Sequence, residues 1–91
     1  MKEEAKSVIL GRKKIREGVY SSIITLFDIS NPHLSTEMPK KTIELESTKI
    51  SFSSPIKFDF LAMGNDIVIN GISSIEIEEN GEEAIVSVEQ N

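Results

Sequence analysis

The sequence predicts a mainly β domain organised as a small antiparallel meander, and three observations carry that expectation. Apolar and polar residues alternate with period two through the C-terminal half, the pattern of strands with one buried face. Two Asn-Gly dipeptides, Asn70-Gly71 and Asn80-Gly81, punctuate those alternating runs, and Asn-Gly is the strongest short-range hairpin signal. Isoleucine dominates the apolar set, with four Phe, one Tyr and no Trp, which suits a pleated, half-buried surface. The expected sheet has about five to seven strands, forming a sandwich or a partly open barrel. The first residues add either one short helix or a further strand.

The chain of 91 residues reads as one small domain, near the lower limit for a self-sufficient core. Residues 1–18 form a basic N-terminal segment, in which residues 2–10 read as a helical turn or as a strand through Ser7-Val8-Ile9-Leu10. Between Val19 and Ile29 the β-branched and aromatic content favours a strand. Ile15, Val19, Ile23 and Phe27 recur every four residues, as in a helix, but Gly18 disfavours a helix interior. Residues 30–41, with Pro32 and Pro39 among polar side chains, form a long loop, and loops of that length often carry function.

The meander is expected over 42–89. Its first strand, 42–46, turns Ile43 and Leu45 inward. From Lys49 the parity changes, and Ile50, Phe52, Ile56, Phe58 and Phe60 share one face. Residues 49–61 are either one edge strand with Pro55 where no ladder donor is needed, or two short strands around Ser53-Ser54-Pro55. The second reading is preferred because 13 residues is long for a strand in so small a domain. Met63-Gly64-Asn65-Asp66 reads as a turn. Strands follow at 66–70, 73–79 and 83–88, joined by the two Asn-Gly hairpins, with Ile75 and Ile77 inward and Glu76 and Glu78 outward.

Composition narrows function chiefly by exclusion. There is no cysteine and one histidine, His33, so disulfides, thiolate metal sites and Cys-His chemistry are ruled out. His33 lies in the 30–41 loop with no ligand spacing around it. No catalytic residue, metal site or cofactor is expected, and the chain reads as a non-enzyme. Carboxylates gather at Glu76, Glu78, Glu79, Glu82 and Glu83, but at solvent-facing strand and turn positions that offer little burial to tune a pKa. No apolar run approaches the ~20 residues of a membrane helix. The N-terminus lacks the apolar region of a secretory signal, and a cytoplasmic protein without membrane contact is expected.

The net charge of −5 conceals an asymmetry. Residues 1–41 carry eight basic and five acidic side chains, a net +3, and residues 42–91 carry two basic and ten acidic, a net −8. Such a division favours head-to-tail contact between copies or with a charged partner. Two candidate surfaces follow. Val19, Tyr20, Ile23, Ile24, Leu26 and Phe27 make residues 19–29 apolar on both faces, and such a strand must be covered on both sides. The run Arg12, Lys13, Lys14 and Arg16 supplies four cations within five residues, able to neutralise phosphates or other anions. The leading expectation is a non-catalytic module that binds a protein partner or itself. A small nucleic-acid-binding barrel using residues 12–16 is the alternative. A third reading is an acidic inhibitor of a basic nucleic-acid-binding protein.

Overall fold

A computed structural model describes residues 2–60 and 66–91, with Phe60 described by its backbone alone. The strands are β1 Lys2–Glu4, β2 Ser7–Arg16, β3 Val19–Phe27, β4 Lys41–Leu45, β5 Lys49–Phe52, β6 Asp59–Phe60, β7 Ile67–Asn70, β8 Ile72–Asn80 and β9 Glu83–Gln90, with a 3₁₀ turn at Pro32–Leu34. One sheet has the order β1-β8-β9-β5, and the other β4-β3-β2-β7-β6, its last member being the two-residue β6. The fold is mainly β, as expected, and the sheets stay separate rather than closing into a barrel.

The core lies between the two sheets. Val8, Leu10, Ile24, Leu26, Leu45 and Ile69 approach it from one side, and Ile75, Ile77, Ala84 and Val86 from the other. Register explains why these residues and not their neighbours are buried. Val8 sits opposite Leu26 and Ile69, and Leu10 opposite Ile24 and Ile67, so one face of the second sheet is continuously apolar. On the first sheet Ile75 faces Val88 and Ile77 faces Val86. A register shift between Ile72 and Ser74 brings Ile72 to the same face despite its opposite parity. It is 3% exposed.

Several expectations need correction. No N-terminal helix forms: Val8 and Leu10 point inward at period two, and Ile9 between them lies on the other face of β2. Strands exceed the expected five to seven, because residues 2–16 contribute two more and residues 49–60 split. The split parts do not share a sheet: β5 joins β9 and β6 joins β7. Nor is the C-terminal half a pure antiparallel meander. β5 runs parallel to β9, with Ile50 opposite Ala84 and Phe52 opposite Val86. Parallel neighbours need a long crossover, which here runs through β6 and β7 in the other sheet.

The two Asn-Gly dipeptides part company. Asn80 pairs with Glu83 across Gly81-Glu82, a two-residue hairpin. Gly81 takes φ 64 and Glu82 takes a negative φ, so the turn has glycine at the first central position, as in type II′, rather than Asn-Gly in the centre of type I′. Asn70-Gly71 is not a hairpin, and there the chain crosses from one sheet to the other. β7 finds its partner in the second edge of the long β2, where Ile69 meets Val8 and Ile67 meets Leu10. The Asn70 side chain is engaged across the structure, donating from Nδ2 to Asn31 Oδ1 (3.1 Å) and accepting from Asn31 N at Oδ1 (2.7 Å). The expected turn at Met63-Gly64-Asn65 lies outside the described residues.

The strand expected within 19–29 is β3, and the segment after it caps part of the outer face of its sheet. Ser7 is buried and donates its hydroxyl to the Ile29 carbonyl, Pro32 is buried, and the 3₁₀ turn lies against β2. The free side of the sandwich between β1 and β4 is tied by lysines. Lys41 Nζ lies 2.7 Å from Glu3 Oε1, and Lys40 Nζ donates to the Glu4 carbonyl at 2.8 Å. Among the described residues no helix is long and apolar enough to cross a membrane.

Candidate functional site

The candidate surfaces converge on one element, the hairpin of β2 and β3. It closes at Glu17-Gly18, with Arg16 opposite Val19, Lys14 opposite Tyr20, Lys13 opposite Ser21 and Arg12 opposite Ser22. Its neighbours are shorter. β7 pairs with β2 only over Ser7–Leu10, and β4 pairs with β3 only over Ser22–Leu26. Beyond those limits, residues 11–16 and 19–21 form a two-stranded arm with no described strand on either edge. Arm edges of this kind keep unpaired backbone donors and acceptors.

Strand alternation divides the cations. Arg12 and Lys14 share a face with Tyr20 and Ser22, and Lys13 lies on the opposite face with Ser21. The register shifts between Lys14 and Arg16, so Ile15 is the extra residue of a bulge. Lys14 Nζ lies 2.7 Å from Glu17 Oε2 and Lys13 Nζ 3.7 Å from Glu44 Oε2, all well exposed. Exposed pairs of this kind are weak and exchangeable. Neither Arg12 nor Arg16 makes an ion pair among the described residues. The run is therefore a ribbon with charge on both faces and two free guanidinium groups.

The six apolar candidates on β3 separate in the same way. Ile24 and Leu26 are wholly buried in the core and Phe27 is 8% exposed, so the protein itself covers that part of the strand. Ile23 and Val19 are half-buried, and Tyr20 is 51% exposed. Ile15, which is not among the six candidates, is 55% exposed. Ile15, Val19 and Tyr20 line a groove of about 490 Å³ beside the end of β4, with Leu45 at its floor and Glu44 and Glu46 at its rim. A second opening of about 270 Å³ lies at the open end of the sandwich, where Arg12 stands over Ile50, Phe52 and Ile67.

The carboxylates expected on one solvated face are also sorted by the fold. Glu76, Glu78 and Glu83 point outward from the β8–β9 ladder together with Glu89, which the sequence reading did not single out. Glu79 has the opposite parity. Its Oε1 accepts the backbone N–H groups of Glu46 (2.9 Å) and Ser47 (3.4 Å), so it anchors the β4–β5 turn. Glu82 lies in the hairpin turn, where its carbonyl accepts from Thr48 N (3.0 Å) and Lys49 N (2.9 Å).

Comparison with protein-family models, curated proteins and solved structures returned no significant match. The site therefore rests on its own chemistry. Among the described residues no three His, Asp or Glu side chains gather as a metal site. His33 is exposed in the 3₁₀ turn. A recess of about 700 Å³ at the opposite end of the sandwich from the arm holds Lys6, Lys40 and Asp28. Lys40 is already engaged there with Glu4 O and, at 3.8 Å, with Asp28 Oδ1. The Glu3 carboxyl is held below its ordinary pKa by the hydrogen bond and charge of Lys41, and it ties two sheet edges.

Proposed function

We propose that this chain is a non-catalytic assembly module that binds a second copy of itself through the β2–β3 arm. The observation that carries the reading is the arm's isolation. It extends past both neighbouring strands, with Ile15 and Tyr20 each more than half exposed beside two unpaired arginines. Exposed aromatic and arginine side chains are the residue types that anchor protein interfaces. The absence of cysteine and the single exposed histidine support a role in binding rather than reaction. Sedimentation velocity over a concentration series tests the proposal. The native protein is expected to associate, and the Ile15→Ser, Tyr20→Ser double variant to associate at least about tenfold more weakly, as for lost anchor residues. A native chain that stays monomeric at high concentration overturns it.

The alternative that retains a specific support is nucleic-acid binding by the same arm, since Tyr20 lies directly across from Lys14 and a ring beside cations suits base stacking. Its test is a gel shift at low salt with single- and double-stranded probes, and no shift with any probe removes it.

A further inference from the structure

We infer, resting on the self-assembly reading above, that the arm of one copy docks on the outer face of the β8–β9 sheet of the next, giving a head-to-tail assembly. The outward rows of that ladder pair Ser74 with Glu89, Glu76 with Ser87, Glu78 with Ile85, and Asn80 with Glu83. Every row of this ladder thus carries one carboxylate, and no two carboxylates oppose each other across it. At the flanks of the sheet Lys2 lies beside Glu76 and Lys49 beside Glu83, while Glu4 adds a further carboxylate beside Ser74. None of the four glutamates has an ion pair among the described residues. Between them the floor is low: Ser51, Ser53, Ser74 and Ser87 are small, and half-buried Ile85 is its apolar centre.

The spacing of the two partners matches. Same-face side chains on a strand recur every two residues, about 6.6–6.8 Å. Arg12 and Lys14 on the arm follow that step, and so do the successive carboxylate rows of β8–β9. A ribbon laid along the face would set guanidinium and ammonium groups against carboxylates at a common period, with Tyr20 free to cover Ile85. The other geometry, arm against arm about a two-fold axis, places each cation run against its own copy, and like-charge juxtaposition of that kind costs several kcal/mol. The contact is therefore heterologous, and heterologous contacts build rings or open chains rather than two-fold dimers.

Charge reversal tests this directly, read by sedimentation velocity at low and high salt with circular dichroism confirming the fold. Arg12→Glu with Lys14→Glu, and separately Glu78→Arg with Glu83→Arg, should each weaken association at least about tenfold. A chain carrying all four substitutions should regain it, because the interface is complementary again with the signs exchanged. High salt should weaken the native assembly and the fourfold variant alike. If the Glu78, Glu83 variant does not fold, Glu78→Gln with Glu83→Gln removes the same charges and should also weaken association. Loss of assembly in the Arg12, Lys14 variant but not in either glutamate variant overturns the docking face while leaving the arm as the assembly element. Loss in both without recovery in the fourfold variant also overturns it. A monomeric native chain overturns the assembly reading itself.

Discussion

Gln90, near the end of β9, gives the residues between β5 and β6 the support that a neighbouring strand would otherwise supply. Its carboxamide acts as a peptide group would: Oε1 accepts from Lys57 N at 2.8 Å, and Nε2 donates to Lys57 O at 2.8 Å and to Asn70 O at 3.0 Å. The side chain thereby joins β9 of one sheet, the end of β7 of the other and the 53–58 segment between them. Gln90→Ala removes all three bonds. A protein hydrogen bond contributes about 0.5–1.5 kcal/mol net. Taking the low end for the two solvent-exposed bonds and the middle for the part-buried one gives a loss of about 2 kcal/mol. For a domain of this length, 1 kcal/mol corresponds to roughly 4–8 °C in melting temperature, so a fall of roughly 8–16 °C is expected.

Two measurements check this, urea denaturation for the free energy and hydrogen exchange at the Lys57 amide for the location. That amide should lose protection in the variant. Gln90→Glu sharpens the test because it keeps the acceptor for Lys57 N but turns a carboxylate toward two carbonyl oxygens. It should cost at least as much as the alanine. A Gln90→Ala protein within about 0.5 kcal/mol of the native one, the size of an ordinary surface substitution, and with unchanged Lys57 exchange, would refute the clamp.

Two further expectations concern the faces and edges of the sheets. Leu26→Ala, at a fully buried core position, should cost about 3 kcal/mol, whereas Ile23→Ala on the half-buried outer face of the same strand should cost about 1 kcal/mol. Equal costs by chemical denaturation would mean that the two faces of β3 are not distinguished as described. The Glu3–Lys41 tie should be visible in acid. Because the folded pKa of Glu3 is lowered, its contribution is present above the ordinary carboxylate value of about 4.3 and is lost as pH falls through the depressed value. The melting-temperature gap between the native protein and Glu3→Gln should narrow as pH is lowered through that range, and a gap independent of pH would show that the tie does not contribute.

How far these features could be read from the residues depends on whether burial is shared between near or distant parts of the chain. β8 and β9 were legible because each turns one face to the core, so Ile75 and Ile77 alternate with glutamates and Ala84 and Val86 are buried on either side of the half-buried Ile85. The hairpin between them was legible because both flanking strands enter the same sheet. At Asn70-Gly71 the local signal is the same, but the outcome is set from afar. Val8 and Leu10 receive Ile69 and Ile67, Asn31 engages the Asn70 side chain, and Asn91 N donates to Gly71 O at 2.7 Å. The parallel pairing of β5 with β9 is likewise non-local, and no short-range pattern encodes it.

The arm was hidden for a different reason. Through Val8 and Leu10 the alternation of β2 is set by the core, and it stops at Gly11, where the strand leaves the sandwich while its pairing with β3 continues to Arg16. A strand with no buried face leaves no periodic trace, so Arg12-Lys13-Lys14-Ile15-Arg16 reads as a charge run rather than as structure. Its conformation follows from the turn at Glu17-Gly18 and from its pairing with Val19, Tyr20, Ser21 and Ser22 of β3. The residues least patterned in the sequence are accordingly those that the fold leaves uncovered, which is why the exposed arm lies where sequence periodicity ends.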